Sequence, residues 1–224
     1  MSVLLLRLAG PMQSWGTQSR FAVRDTGLEP SKSGVVGLLC AALGRPRWEP
    51  VADLAGLRMG VRVDHEGTLS RDLHTAQDVV KADGSPGGTA ISQRFFLADA
   101  DFLVGLEGPP ALLARLDAAL AAPVWQLYLG RKAFVPGEPV RLPDGLRPKA
   151  GLLRALHSYP WRPAPDGGRI PERLRLVLDT EYGLGEPRQD VPLSFAQRRF
   201  TVRHVRTEWL ETEGLPRVLE VSCS

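Results

Sequence analysis

Residues 2–9 read SVLLLRLA, an apolar stretch interrupted only by Arg7. A continuous apolar run, without the alternation of a half-exposed strand, is typical of a central strand that is covered on both faces. Residues 10–30 follow with no periodicity and with several glycines and prolines, which predicts a long loop. We therefore expect a buried strand first and irregular backbone directly after it.

A helix is predicted over residues 31–43, which read SKSGVVGLLCAAL. Ser31 supplies a capping hydroxyl, apolar residues recur behind it at helical spacing, and Gly44 follows as a typical end signal. These signals place the first helix immediately after the loop.

Three more elements can be read in the following sixty residues. Residues 57–63 alternate well enough for a second strand. Two polar arms within 71–97 flank the turn residues 83–88 and predict a long hairpin. Because the arms lack a clean apolar face, we expect this hairpin to project from the body. Residues 101–106 predict another buried strand.

A second helix begins at Pro109 and completes the order strand, helix, strand, strand, helix. This order predicts an α+β fold of the ferredoxin-like type, which RNA recognition motifs also use. We assign residues 1–135 to this domain. Residues 136–171 hold eight of the nineteen prolines and are expected to be an irregular connection, and 172–224 a smaller β-rich C-terminal part.

The composition is that of an ordinary globular protein, with 43% hydrophobic and 24% charged residues in a chain of 224. Cys40 and Cys223 are too few for a disulfide framework or a four-ligand zinc site, so we predict a reduced, cytoplasmic protein. No apolar run approaches the ~20 residues of a spanning helix, and the first residues lack the basic start of a signal peptide. We expect no cofactor and no membrane partner.

Arginine carries almost all of the positive charge. The formal net charge is only +3, yet the pI is about 9.1, and the cations are 24 Arg and 4 Lys. A GC-rich genome favours arginine codons, whereas recognition of phosphates and bases favours the planar guanidinium. Composition alone leaves both explanations open.

The common signatures of enzymes and metal sites are absent from the sequence. It has no Walker A, G-x-S-x-G, H-E-x-x-H or paired C-x-x-C motif, and its four histidines lack metal-ligand spacing. Asp99 and Asp101 would share a face on a strand, but acidic residues before a buried strand commonly end a hairpin. We therefore predict no catalytic residue and no metal ligand.

The first candidate site is the loop after the first strand. Residues 10–16, GPMQSWG, place Gln13 and Trp15 on a glycine-flanked loop. There the amide can hydrogen-bond a splayed RNA base and the indole can stack on it. In the alternative interpretation, Trp15 caps the hydrophobic core.

The second candidate site is the start of the first helix, where Ser31, Lys32 and Ser33 stand together. Free backbone N–H groups and the helix dipole favour an anion such as phosphate at this position. Ordinary capping explains the two serines. It does not explain Lys32, because a cation at a helix N-terminus is unfavourable unless an anion binds.

The third candidate site lies in residues 127–133, LYLGRKA. Gly130 lets the backbone approach a ligand closely, and Arg131 and Lys132 follow it. The alternative is a plain surface turn. In a ferredoxin-like fold these three sites can converge near one edge of the sheet. The remaining candidate RNA contacts are Arg94, Arg198 and Arg199, although the last two also suit a solvated strand face.

These segments, in this order, resemble the CasD family, a subunit of the type I-E CRISPR effector called Cascade. The matching stretches are LRLAGPMQSWG (6–16), PSKSGVVGLL (30–39), FLADADF (96–102), YLGRK (128–132) and FAQRR (195–199). The resemblance covers the first ~135 residues densely and the remainder sparsely, and the first two stretches together are highly specific.

The resemblance implies a non-catalytic RNA-binding subunit in antiviral defence. Members of the family hold the 5′ handle of the CRISPR RNA (crRNA) and use a protruding hairpin, the thumb, to kink it beside the first backbone subunit. They also contact the large subunit, and target DNA meets them only through the complex. Residues 71–97 match the thumb in position.

A sister family in type I-C systems implies a different activity, a metal-independent endoribonuclease that cuts the repeat RNA with Tyr, Lys and His. Tyr128 and Lys132 are present here, but no histidine is near them in sequence. His74 or His157 can still fold into such a site, so the sequence leaves this alternative open.

Overall fold

The computed structural model describes residues 1–16, 22–162 and 171–217. The strands are β1 (Ser2–Ala9), β2 (Met12–Gln13), β3 (Val23–Arg24), β4 (Arg58–His65), β5 (Thr68–Ala76), β6 (Ala90–Ala98), β7 (Asp101–Gly108), β8 (Arg141–Arg147), β9 (Arg173–Thr180), β10 (Glu186–Ser194) and β11 (Arg199–Glu211). The helices are α1 (Lys32–Leu43), α2 (Ala52–Ala55), α3 (Pro110–Ala121) and α4 (Leu152–Ser158). None of these helices is long and apolar enough to cross a membrane. The chain is a mixed α/β protein in which strands predominate.

The core is built around β1, as its apolar sequence predicts. The main sheet has the order β10-β11-β9-β4-β7-β1-β8, and all its neighbours are antiparallel. Leu4, Leu6 and Leu8 point to one face, where they pack in a cluster with α1 and α3. Val3 and Leu5 point to the other face and pack with α4. Because both faces are covered, a continuous apolar strand is stable here.

The caps of α1 are those that the sequence predicts. Ser31 Oγ accepts from Gly34 N at 3.3 Å, which satisfies one of the free donors of the first turn. Gly44 ends the helix with a φ of 68°, a left-handed conformation that glycine adopts without strain.

The expectation of an irregular connection over 136–171 is wrong for β8 and α4. β8 is an edge strand, so Pro143 can lie in it without losing a ladder hydrogen bond. α4 is only seven residues long, and its buried residues cover the second face of the sheet. Residues 163–170 of the predicted connection lie outside the described residues.

The C-terminal strands extend the main sheet and do not form a separate part. β9 pairs with β4 from Gly60 opposite Leu178 to Val63 opposite Arg175, and β11 and β10 continue outward. One sheet therefore joins the two ends of the chain. The last residues of the predicted C-terminal part, Cys223 among them, lie outside the described residues.

The predicted long hairpin is present as β5 and β6, which pair from Thr68 opposite Ala98 to Ala76 opposite Ala90. At its base, β2 and β3 add to β6 and form a second sheet. Its arms are mostly exposed, and Leu73 keeps 64% of its surface accessible. The hairpin therefore contributes little to the core.

A buried ionic group ties β4 to α4. Arg62, fully buried, donates from Nε and Nη2 to Asp64 at 2.6 and 2.9 Å. Its Nη1 donates to the carbonyls of Leu156 and Tyr159, both at 2.6 Å. Arg7 Nη1 also donates to Asp64, at 2.7 Å. The guanidinium of Arg62 thus satisfies carbonyls at the end of the helix that nothing in the helix itself can reach.

Candidate nucleic-acid interface

An open cleft of about 600 Å³ lies beside the start of α1. Its walls are formed by the loop after β1, strand β3, α1 with the loop that follows it, the loop after α3, and the β10–β11 turn with the start of β11. The side chains that line it include Trp15, Ser31, Ser33, Arg24, Arg45, Arg47, Trp125, Tyr128, Phe195 and Phe200. The three segments predicted to carry a site thus meet in one place, next to the turn that carries the further candidate contacts Arg198 and Arg199.

Gly130 makes this convergence possible. Its φ is +86°, and a Cβ on it would lie 1.7 Å from the carbonyl oxygen of Ser14. Ser14 N donates to Leu129 O at 3.1 Å, so the two loops are joined backbone to backbone. Only a residue without a side chain allows this approach.

We expect Gly130→Ala to destabilise the protein by about 1–3 kcal/mol from backbone strain alone and to push the loop away from Ser14. The matched control is Gly84→Ala at the hairpin tip, where φ is also positive at 82° but an added Cβ meets nothing within 4 Å. The melting temperature and the affinity for RNA should both fall further in Gly130→Ala than in Gly84→Ala. Equal losses in the two variants would show that the close approach has no consequence.

Trp15 and Gln13 are core residues, which corrects the expectation that they read a base. Gln13 Nε2 donates to Leu8 O at 3.0 Å and to Ala100 O at 2.7 Å, and its Oε1 accepts from Trp15 Nε1 at 3.2 Å. The indole is 1% exposed and lies on Gly34, where a Cβ would come within 2.8 Å of it. Both side chains shape the floor of the cleft from within.

Lys32 does not present a free cation, which corrects its assignment as a phosphate clamp. Its Nζ lies 2.9 Å from Asp179 Oδ2, and its backbone N donates to Asp190 Oδ2 at 2.7 Å. Arg203 pairs with both carboxylates and completes a buried group of two cations and two anions. The anion expected at this helix start is therefore supplied by the C-terminal strands of the protein itself.

The two serines of the helix start remain at the cleft. Ser31 is the helix cap, and Ser33 Oγ lies 3.4 Å from Ser31 Oγ. Both line the cleft, and Ser33 is half-buried, so its hydroxyl can donate to a ligand there.

Arg131 directly follows Gly130 of the cleft wall and is half-buried. Its Nη2 donates to the carbonyls of Phe95 and Arg24, at 2.8 and 3.2 Å. Burial lowers the pKa of Arg131, and the positive charges of Arg94 and Arg24 lower it further. Lys132, next in the chain, is exposed.

Arg198 and Arg199 are exposed in the turn between β10 and β11. This turn carries Phe195 and Phe200, whose rings stand edge to face with centroids 6.4 Å apart and line the cleft. The two arginines therefore lie close to the cleft without lining it.

Sequence reasoning missed three cleft residues, Arg24, Arg47 and Trp125. Arg24 and Arg47 are exposed, and no ion pair links either of them to a described carboxylate. Arg45, in contrast, forms a two-pronged pair with Asp53 at 2.6 and 2.9 Å. The exposed aromatic residues of the loop after α3, at positions 125 and 128, were the available signal for this wall.

The chemistry of the cleft suits a single-stranded nucleic acid. Aromatic rings stack on bases of any identity, and guanidinium groups form ion pairs with phosphates. Hydroxyl groups form hydrogen bonds with both bases and phosphates. No acidic side chain is among the described residues that line it. An anionic ligand therefore meets no repulsion from the described part of its walls.

The described residues contain no cluster of three or more His, Cys, Asp or Glu placed to hold a metal ion. Asp101 accepts from Arg7 Nη1 at 2.9 Å, and Asp99 lies in the turn before β7 with a φ of 55°. All four histidines fall within the described ranges, and none lines the cleft. His74 lies on β5, and His157 lies in α4 on the opposite face of the main sheet.

Comparison with known proteins gives consistent matches over nearly the whole chain. A profile of the family described as CRISPR-associated protein (Cas_Cas5) matches residues 3–206. The Cascade subunit CasD of Escherichia coli (strain K12) is 32% identical over 95% of this chain and 96% of that protein. A crystal structure of a Cas protein matches with a TM-score of 0.79 and 50% identity, covering 96% of this chain and 98% of the other.

A chain from a solved CRISPR RNA-guided surveillance complex also matches with a TM-score of 0.79. It is 37% identical, and the match covers 94% of this chain and 90% of the other. These findings confirm the resemblance that the sequence segments indicate. The chain belongs to the family of CRISPR-associated proteins described as Cas_Cas5.

Proposed function

We propose that this protein is a non-catalytic RNA-binding subunit of a CRISPR surveillance complex and that it caps the 5′ handle of the crRNA. The observation that carries the proposal is the cleft, whose described walls combine aromatic rings, guanidinium groups and hydroxyls with no carboxylate. To hold an RNA end in one shape without cutting it, a protein needs phosphate contacts and stacking surfaces but no acid–base pair. Four of the five segments that carry the family resemblance contribute residues to the cleft, and residues 96–102 do not line it.

We assign a ferredoxin-like architecture to the centre of the molecule. In chain order, its elements are β1, α1, β4, β7, α3 and β8, and the corresponding sheet order is β4-β7-β1-β8. This is a β-α-β-β-α-β arrangement with both long helices on one face, which supports the assignment. The long hairpin between β4 and β7 then takes the place of the thumb.

The RNA contacts we propose lie on the rim of the cleft and at the base of the hairpin. They are Ser31, Ser33, Arg94, Lys132, Arg198 and Arg199, and Arg131 supports them through its bonds to the carbonyls of Arg24 and Phe95. Gln13, Trp15 and Lys32 serve the site indirectly, because they hold the β1 loop and the start of α1 in place.

The proposed partners are the crRNA 5′ handle, the backbone subunit and the large subunit of the complex, and target DNA is met only through that complex. The names of the relatives support this assignment, since one is a Cascade subunit and another belongs to an RNA-guided surveillance complex. We place the protein in the cytoplasm, where such a complex meets invading DNA.

The test is to incubate the purified protein with labelled CRISPR repeat RNA in the presence of EDTA. We expect the RNA to be bound and recovered intact. A specific cleavage product that disappears in Lys132→Ala and in Tyr128→Phe would overturn the proposal in favour of a metal-independent endoribonuclease. An unrelated single-stranded RNA of equal length is the control for specificity.

We expect the outer hairpin to be dispensable for folding but needed for assembly. Replacing residues 76–92 with a short turn keeps the base of β6 with its β3 contacts, and it removes no buried residue. The melting temperature should stay within a few degrees of the parent, because surface changes are usually worth less than ~0.5 kcal/mol each. Association with the backbone subunit and crRNA should be impaired. An insoluble or unfolded variant would show that the hairpin is part of the core.

A further inference from the structure

Two arginines stand side by side at the base of the hairpin, next to the cleft. β3 pairs in parallel with β6, and Arg24 lies opposite Arg94. Paired residues of neighbouring strands share a face and lie about 4.8 Å apart along the hydrogen-bonding direction. Like charges in this position destabilise a sheet unless something neutralises them.

No ion pair to a carboxylate is present at either of these arginines within the described residues. Arg94 Nε donates to the neutral hydroxyl of Ser92 at 3.1 Å, and Arg24 is exposed at the cleft. Asp72 lies opposite Arg94 on β5, but no ion pair joins its carboxylate to Arg94 or Arg24. The two arginines can therefore bind an anion from another molecule.

Arg131 holds the two arginines in register. Its Nη2 spans the carbonyls of Arg24 on β3 and Phe95 on β6, at 3.2 and 2.8 Å. The ring of Phe134 lies 5.4 Å below its guanidinium. Because Nη2 donates to these two carbonyls, Arg131 fixes the spacing of β3 and β6. Fewer of its N–H groups remain to bind a ligand.

We propose that Arg24 and Arg94 together bind one phosphodiester group of a single-stranded RNA at the point where the strand leaves the cleft toward the hairpin, and that Arg131 positions them. Two guanidinium forks on one face match the two free oxygens of a single phosphate. The proposal deepens the proposed function and depends on it, because the RNA is the one held in the cleft.

The test measures the affinity of the full-length protein for labelled repeat RNA over a series of salt concentrations. Arg24→Gln and Arg94→Gln should each lower the affinity about tenfold, which corresponds to one charge-assisted contact. Each should flatten the log–log salt slope by about 0.7, the value for one phosphate on a single strand. Because the proposed site needs both guanidinium groups to hold its one phosphate, losing either releases that contact, and the double variant should flatten the slope by about 0.7 as well, and not by about 1.4.

Two further variants complete the design. Arg154→Gln is the matched control, since Arg154 is an exposed arginine of α4 on the opposite face of the main sheet, and it should change neither affinity nor slope. Arg131→Lys keeps the charge but cannot span two carbonyls. If Arg131 positions the pair, this variant also loses about 0.7 of slope, whereas a direct phosphate contact would keep the slope unchanged.

The outcomes are separable from those of the proposed function. If the parent protein fails to bind repeat RNA, the proposed function itself is wrong. If the parent binds but the Arg24 and Arg94 variants behave like Arg154→Gln, the phosphate site is wrong. Additive slope losses would mean two separate phosphates, and normal RNA binding with lost subunit assembly would mean a protein carboxylate as the partner; either result overturns the proposal.

Discussion

Trp15→Ala is expected to lower the free energy of unfolding by about 3–5 kcal/mol, the usual range for removing a fully buried tryptophan. The substitution leaves a cavity over Gly34 and removes the donor that Gln13 Oε1 accepts from. Gln13 is itself fully buried, so an unsatisfied carbonyl adds to the loss. Loop and helix should loosen together, since the indole joins them.

The measurement is urea unfolding and RNA affinity on the same preparation. We expect RNA affinity to fall only as far as the folded fraction falls. Trp15→Phe is the matched control, because it keeps a ring against Gly34 while it loses the N–H donor, and it should retain much of the stability. Unchanged stability with a large loss of RNA affinity in Trp15→Ala would instead show that the indole stacks on a base.

Arg62→Met is expected to cost about 3–5 kcal/mol, the range for removing one partner of a buried ion pair. Methionine keeps much of the apolar volume, but Asp64 loses both bonds from Arg62 and retains only Arg7. The carbonyls of Leu156 and Tyr159 at the end of α4 also lose their donor. The effect is therefore electrostatic and comes from uncompensated buried groups.

Arg58→Met on the same strand is the control for this substitution. The Arg58 side chain is 53% exposed, and its contact with Glu107 is 3.4 Å long, so the loss should stay below ~1 kcal/mol. Denaturant midpoints of the two variants give the comparison directly. Similar midpoints would show that the buried group around Asp64 contributes nothing specific to stability.

Local signals were sufficient wherever an element is determined by its own residues. The apolar run of β1, the Ser31 cap, the Gly44 end signal and the hairpin turn each act within a few residues. Elements whose stability comes from distant partners were missed. α4 is too short to show a clear period, and β8 contains a proline that only an edge position tolerates.

The same distinction explains the candidate site. The convergence of three segments follows from topology and was predicted, and Gly130 marks one of the contacts. Lys32 is different, because its partner Asp179 is 147 residues away. A lysine that meets phosphate and a lysine that meets a remote carboxylate look the same in sequence. Arg24 was missed for a related reason. It lies in a segment without periodicity, and only the structure shows that it pairs opposite Arg94.

The most direct test of RNA end capping is nuclease protection of the crRNA in a complex assembled by co-expression with the proposed partner subunits. With the parent protein, we expect one short RNA with a single defined 5′ end whose first nucleotides resist a single-strand nuclease. A double variant, Arg47→Gln with Trp125→Ala, removes an exposed cation and an exposed ring from the cleft without touching the core. It should expose the 5′ nucleotides while the rest of the guide stays protected. A 5′ end that is equally protected in the variant, or already exposed with the parent, would contradict the account.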